Sequence, residues 1–130
     1  MPLHKCASGG ELARIMLALK VNLNSENKMT LIFDEIDTGI SGATASAVGK
    51  RLARLGERNQ TLVITHSAQV AGWGKYHYRV SKKDEGNTTV TFVQKLTPSE
   101  RVEEVARLLS GAHITDAARA TAKELLTNSK

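Results

Sequence analysis

One stretch, Thr30-Leu31-Ile32-Phe33-Asp34-Glu35, indicates the fold: an apolar, β-rich run that ends at two adjacent carboxylates. Such an uninterrupted run is typical of a strand buried on both faces, as in a parallel sheet covered by helices. In open α/β sheets, ligands bind beyond the carboxyl ends of the strands, where Asp34 and Glu35 would lie. Two carboxylates there require a cation, a proton or donated hydrogen bonds. A metal ion that carries phosphates would satisfy them, and so would a turn that the two acids cap; these six residues do not decide between the two.

Length and composition predict one globular domain that spans residues 1–130. Hydrophobic residues make up 41% of the chain and charged residues 24%, which is ordinary for a soluble domain. The sequence contains neither a membrane span nor the apolar region of a signal peptide, so we expect no membrane partner. A single cysteine, Cys6, excludes an internal disulfide and fits a reducing cytoplasm.

The net charge of +5 permits contact with nucleic acid, but the basic residues are scattered along the chain. The densest group lies along one predicted helix, where a solvated face is expected. This group consists of Lys50, Arg51, Arg54 and Arg58. Charge by itself therefore identifies no partner.

The segment Ser8-Gly9-Gly10-Glu11 opens a predicted helix, with Ser8 and Glu11 at the spacing of a capping box. Capping does not explain Gly9 and Gly10, each of which costs about 1 kcal/mol relative to alanine in a helix interior. Glycines at a helix N-terminus let an anion approach the free N–H groups, so we favour a phosphate site over a simple cap. An apolar stripe at helical spacing follows and predicts a largely buried helix: Leu12, Ile15, Met16, Leu19 and Leu23.

His66 follows a second apolar, β-branched run, Thr61 to Thr65. A helix that starts at Ser41-Gly42 and ends near Gly56 is predicted between the two runs, with Ala45, Val48, Leu52 and Leu55 on its buried face. Strands joined by such a helix are parallel, so His66 would lie at the same sheet edge as Asp34 and Glu35. A lone histidine is more often structural than catalytic, but this placement favours a functional role.

The C-terminal half is predicted to contain a β-hairpin followed by two helices. A short helix over 68–71 comes first, and Trp73 after it is expected to pack against the domain. Residues 76–80 and 88–95 form the antiparallel strands. Thr97-Pro98-Ser99-Glu100 is a second capping box, and the last helix covers about 116–126.

Four motifs in this order resemble the C-terminal half of an ABC-type ATPase head. Ala7-Ser8-Gly9-Gly10-Glu11 is similar to the signature motif, and Leu31-Ile32-Phe33-Asp34-Glu35 to the Walker B strand. Asp37-Thr38-Gly39 is similar to the D-loop and His66 to the switch histidine. The sequence around these motifs resembles the RecN family of bacterial DNA repair ATPases. This family is grouped with the structural-maintenance-of-chromosomes (SMC) ATPases. The resemblance covers nearly the whole chain.

The resemblance implies roles for the three residues at the sheet edge in ATP hydrolysis. Asp34 would hold Mg²⁺, and Glu35 would polarise the attacking water as general base. His66 would contact the γ-phosphate or hold Glu35 and the water in place. The implied cofactors are therefore ATP and Mg²⁺.

A second head is implied as partner, in a two-fold homodimer with ATP at the interface. Ser8, Gly9 and Gly10, together with Glu11, would bind the nucleotide held by the opposite head. Asp37 would couple the two sites.

No Gly-x-x-x-x-Gly-Lys-Ser/Thr loop occurs in the sequence, so the phosphate-cradling part is missing. The chain therefore resembles the C-terminal lobe of a split head: a mainly parallel sheet flanked by helices, then a hairpin and two helices. The N-terminal lobe of the same protein is an implied partner. The family serves recombinational repair of DNA double-strand breaks, which implies DNA as a partner of the full-length protein and the bacterial cytoplasm, at the nucleoid, as its location.

Two alternatives remain at this point. The first is a head segment of another SMC-like or RecF-like ATPase with the same motifs. The second is a catalytically silent DNA-binding domain that uses Lys50, Arg51 and Arg54, and it predicts salt-sensitive DNA binding by this chain alone. The acidic pair and His66 disfavour the second, because a silent domain has no need of them.

Overall fold

The computed structural model describes Glu11, residues 14–18 and residues 28–129. Glu11 and residues 14–18 are helical, and eight elements follow in the order β1 (Thr30–Asp34), α1 (Gly42–Gly56), β2 (Gln60–Ile64), α2 (Ala68–Ala71), β3 (Tyr78–Glu85), β4 (Thr88–Lys95), α3 (Pro98–Ser110) and α4 (Asp116–Asn128). The predicted mixture of a parallel sheet and helices, with a hairpin and two helices at the end, is confirmed. The predicted phosphate site at Ser8, Gly9 and Gly10 lies outside the described residues.

The strands β1 and β2 form a parallel pair in the register Thr30↔Gln60 to Asp34↔Ile64. Helix α1 connects them, as a parallel pair requires a crossover connection. The two strands therefore end at the same edge of the pair. The residues that follow them directly, Glu35 and Thr65, lie at that edge.

The prediction that β1 is buried on both faces is wrong for the described part of the chain. Leu31 and Phe33 are buried, but Ile32 between them is 65% exposed. On β2, Leu62 and Ile64 are 48% and 53% exposed. One face of the pair packs against the core, and no element among the described residues covers the other, which we call the open sheet face (Ile32, Leu62 and Ile64).

The first of two hydrophobic cores lies on the covered face of the pair. All four residues predicted for the buried face of α1 are in it, together with Leu17 from the helical residues 14–18. Ile15 and Met16, which we expected to be buried, are exposed. Periodicity indicated that this segment is helical, but only Leu17 among the described residues is turned towards β1 and α1.

Trp73 packs against the domain, as predicted, and the element it contacts is α1. Its indole N–H donates to Ser46 Oγ at 3.2 Å. A Cβ atom on Gly49 would lie 2.5 Å from Trp73 Cδ1, so the close approach of the ring requires a glycine at this position. Helix α2, just before Trp73, contributes Val70 to the first core and Ala68 to the second.

The second core joins α3 and α4 beneath α2. Its buried residues are Ala68, Val105, Ala106, Ala118 and Ala122. Thr97 and Glu100 form the predicted capping box at the start of α3. The hairpin of β3 and β4 turns at Gly86-Asn87, where Gly86 has φ +66°. Among the described residues, no helix is long and apolar enough to cross a membrane.

Candidate functional site at the carboxyl edge of the parallel sheet

Glu35 has an unusual backbone conformation directly after β1. Its φ is +49°, in the left-handed region that a non-glycine residue seldom adopts. The residue is fixed from both sides: its N–H donates to the carbonyl of Ile64 at 2.9 Å, and its carbonyl accepts from Thr38 Oγ1 at 2.8 Å. Strained residues of this kind are concentrated at functional sites. Among the described residues, Glu35 is the only non-glycine residue with positive φ.

The side chains of Glu35 and His66 lie together at this edge. His66 Nδ1 is 3.5 Å from Glu35 Oε1, and the two side chains are 73% and 55% exposed. The parallel register explains the meeting, because β1 and β2 end opposite each other. A carboxylate that lies beside an imidazole and is open to solvent can accept a proton from a bound water, while the imidazole orients the carboxylate.

Asp34 precedes Glu35 and is exposed at the end of β1. Among the described residues, no three His, Cys, Asp or Glu side chains are grouped so that they could hold a metal ion by themselves. Mg²⁺ in phosphoryl-transfer sites usually takes one or two carboxylates and completes its shell with waters and substrate phosphates. A single exposed carboxylate therefore fits Mg²⁺ only where a phosphate-bearing ligand supplies the remaining oxygens.

Asp37 is buried, with 6% of its surface exposed. Its Oδ2 accepts a hydrogen bond of 2.5 Å from Thr65 Oγ1, and its Oδ1 has no hydrogen-bond partner within the described part of the chain. The hydroxyl of Thr65 also accepts from the N–H of Ser67 at 2.9 Å. The coupling role expected of Asp37 stays a prediction, while its position inside the turn after β1 is clear.

The helical residues after the signature-like motif contact the same turn through Arg14. The guanidinium of Arg14 donates to the carbonyls of Ile36 at 3.1 Å and Thr38 at 3.2 Å. Glu11 is helical and exposed. Sequence reasoning identified neither Arg14 nor Thr65 as part of the site. An arginine three residues after Glu11 was a weak signal, and the threonine was hidden within a β-branched run.

No family model matches the chain, but curated proteins do. It is 51% identical over 126 residues to DNA repair protein RecN from Haemophilus influenzae, and 49% identical over 126 residues to DNA repair protein RecN from Xylella fastidiosa. It is 48% identical over 125 residues to DNA repair protein RecN from Deinococcus radiodurans. Each match covers 96% of this chain and 22% or 23% of the relative. The chain thus spans less than a quarter of the length of these relatives.

Proposed function

We propose, from the premise that this chain is a segment of the RecN family, that it forms the C-terminal lobe of an ABC-type ATPase head. The observation that carries the proposal is the contact between Glu35 and His66 next to Asp34, at the carboxyl edge of a parallel strand pair. A carboxylate base oriented by a histidine, beside a second exposed carboxylate, suits phosphoryl transfer to water.

The residues divide the chemistry among them. Glu35 accepts the proton of the attacking water, because its carboxylate is open to solvent and its backbone is fixed by Ile64 and Thr38. His66 orients that carboxylate through Nδ1. Asp34 would hold the Mg²⁺ that neutralises phosphate charge when the nucleotide is bound.

The open sheet face supports the proposal that this chain is one lobe of a larger head. Exposed Ile32, Leu62 and Ile64 form a contiguous apolar surface across two paired strands. Such a surface in an isolated domain marks a contact site. We assign this contact to the N-terminal lobe, which would also bring the phosphate-binding loop that this sequence does not contain.

The second head would complete each site. Ser8, Gly9, Gly10 and Glu11 would bind the nucleotide held by the opposite head, and the contacts of Arg14 would transmit its presence to the turn that holds Asp37. DNA is the proposed partner of the whole protein, and repair of DNA breaks in the bacterial cytoplasm, at the nucleoid, is its proposed role.

A chimera tests the proposal. This chain would replace the corresponding segment of the Haemophilus influenzae relative, and ATP hydrolysis by the purified chimera would be measured. The chimera should hydrolyse ATP, and Glu35→Gln in it should lower turnover about 10²- to 10⁴-fold while nucleotide binding persists. Asp34→Asn should instead weaken the binding of Mg-ATP.

The matched control is Glu57→Gln, the same substitution at the exposed end of α1. It should leave turnover unchanged. Turnover by the Glu35→Gln chimera within a few-fold of the unmodified chimera would exclude Glu35 as the base. Micromolar binding of Mg-ATP by the 130-residue chain alone, measured by calorimetry, would contradict the division into two lobes.

A further inference from the structure

A cavity of about 480 Å³ opens between the hairpin and the last two helices. The segment before β3, the end of β4, and helices α3 and α4 form its walls. No carboxylate belongs to its lining in the part of the chain that the structure describes. We call it the basic cavity, after its charged and aromatic lining: Lys75, Tyr76, His77, Lys95, Arg101 and Lys123.

Two lysines of the basic cavity, Lys75 and Lys95, contact the same aromatic ring and are not neutralised by any acid that the structure describes. The ammonium groups of Lys95 and Lys75 lie 4.7 Å and 5.6 Å from the centre of the Tyr76 ring. Such cation–π contacts position a charge but leave it available. The guanidinium of Arg101 has a structural role. It donates hydrogen bonds to the backbone carbonyls of Ala71, Gly72 and Gly74 and thereby stabilises the wall of the basic cavity.

The unpaired lysines contrast with the arginines nearby. Arg107 and Arg119 form ion pairs with Glu104 and Glu103 at 2.5 Å and 2.8 Å. Among the described residues, neither Lys75 nor Lys95 nor Lys123 makes an ion pair. Several like charges around one cavity, with no carboxylate in its described lining, favour an anionic ligand.

An exposed aromatic and apolar face adjoins the basic cavity. Tyr78 pairs with Lys95 and Val80 pairs with Val93, so strand alternation places all four side chains on one face of the hairpin. Tyr78, Val80 and Val93 are exposed. Single-stranded nucleic acid is bound by surfaces of this composition, in which cations contact the phosphates and aromatic rings contact the bases. An inorganic phosphate would use the lysines but not this face.

We infer that the basic cavity and the adjoining hairpin face bind single-stranded nucleic acid, with phosphates at Lys75, Lys95 and Lys123 and a base against Tyr78. None of these residues belongs to the edge that holds Glu35 and His66. The inference therefore does not depend on the ATPase proposal, and it goes beyond the proposed DNA contact of the whole protein by placing a nucleic-acid site on this chain.

The experiment uses the full chain and a fluorescein-labelled 20-nucleotide oligothymidylate, with binding followed by fluorescence anisotropy at several salt concentrations. The triple variant Lys75→Gln, Lys95→Gln, Lys123→Gln should bind at least about ten-fold more weakly. Its plot of log K against log salt should be about two units shallower, because three cations each contribute about 0.7 for a single strand.

A charge-matched control is available on α1, where Lys50→Gln, Arg51→Gln, Arg54→Gln removes three exposed charges of the same sign. It should change affinity less than about three-fold, since these residues lie outside the cavity. All six substituted side chains are exposed, and thermal unfolding of both triple variants should match that of the parent chain. Equal losses in the two triple variants, or no binding by the parent chain, would refute the site.

A second pair of variants tests the contribution of the Tyr78 ring to binding of the oligothymidylate. Tyr78→Leu should weaken binding about five-fold or more, because stacking on an aromatic ring is lost while an apolar side chain remains. Phe92→Leu, on the opposite face of the hairpin, should have little effect. Displacement of the oligothymidylate by a polyglutamate peptide of equal charge, as effectively as by unlabelled oligothymidylate, would assign the cavity to acidic proteins and overturn the inference.

Discussion

Thr65 donates a hydrogen bond of 2.5 Å to Oδ2 of the buried Asp37 and accepts one of 2.9 Å from the N–H of Ser67. One hydroxyl thus joins the turn after β1 to the start of α2. Since His66 lies between Thr65 and Ser67, the position of His66 beside Glu35 depends on this bridge. The same hydroxyl is the only donor to the carboxylate of Asp37 within the described residues.

Replacing Thr65 with valine keeps the shape of the side chain and removes the donor to Asp37. We expect the free energy of unfolding to fall by about 1–3 kcal/mol, the cost of leaving a buried polar group without its partner. Urea unfolding measures the change. Thr61→Val on β2, the strand just before Thr65, is the control, since the hydroxyl of Thr61 makes only a 3.4 Å hydrogen bond to the carbonyl of Asn59. Equal effects of the two substitutions would mean that the bond to Asp37 contributes nothing special.

Two glycines of α1 should respond in opposite directions to substitution by alanine. At Gly49 the new Cβ would lie 2.5 Å from Trp73 Cδ1 and 3.2 Å from the backbone of Val70, so we expect a loss of about 1–3 kcal/mol from overpacking. At Gly56 nothing lies within 4 Å, and alanine should stabilise the chain by up to about 1 kcal/mol. Thermal unfolding, followed through the fluorescence of Trp73, measures whether each substitution raises or lowers the stability of the chain. A stabilising Gly49→Ala would contradict the close packing of the indole.

Local sequence patterns predicted the elements well because they depend on local chemistry. The helical period placed Ala45, Val48, Leu52 and Leu55 in the core, and Thr97 and Glu100 form the predicted cap. Burial of whole faces was less predictable. An apolar strand residue such as Ile32 has the same sequence signal whether or not a neighbour covers it, and no element among the described residues covers Ile32.

The candidate site was predictable in its acids and histidine but not in the groups that hold them. Asp34, Glu35 and His66 follow apolar runs, and the parallel connection brings the run ends together. The hydrogen bonds of Thr65 and Arg14 join residues 28 and 22 to 24 positions apart, respectively. Such long-range polar contacts have no periodicity in the sequence, and the strain at Glu35 likewise arises only when Ile64 and Thr38 fix its backbone.

The positive φ of Glu35 predicts that glycine at this position stabilises the chain. An L-residue in the left-handed region costs about 1–2 kcal/mol, which glycine avoids, so Glu35→Gly should raise the free energy of unfolding by up to about 1 kcal/mol after its larger unfolded-state entropy is subtracted. The lost contact with His66 offsets little, because both side chains are largely exposed.

The control for this substitution is Glu57→Gly at the C-cap of α1, where φ is −68°. Glycine there relieves no strain and should destabilise the chain. In the chimera described above, Glu35→Gly should abolish turnover although the fold is more stable. Destabilisation by Glu35→Gly equal to that by Glu57→Gly would indicate that the conformation of Glu35 is not strained.

Acid should destabilise the chain in two steps, of which the first is due to His77. Burial lowers the pKa of His77 from its ordinary value of 6.5, Arg101 lowers it further, and Glu104 opposes the shift. The unfolded chain therefore binds a proton at His77 below about pH 6.5 while the folded chain does not, so stability falls as the pH drops from 6.5 towards the folded pKa. His77→Gln should remove this step in urea unfolding, whereas substitution of the exposed His113 should preserve it.

The second acid step belongs to Glu104, which is buried and hydrogen-bonded to Arg107. That hydrogen bond holds the pKa of Glu104 below its ordinary value of 4.5, so the unfolded state gains the proton first and stability falls as the pH drops below about 4.5. Glu104→Gln should lower stability at pH 7 by about 1.5–3 kcal/mol, the usual contribution of a charged hydrogen bond, and flatten the profile below pH 4.5. The first step should persist in this variant and extend to lower pH, because Glu104 no longer opposes the lowering of the pKa of His77. In the His77→Gln variant this second step should remain. If it vanished together with the first, the two groups would titrate as one unit, and the separate assignments to His77 and Glu104 would be wrong.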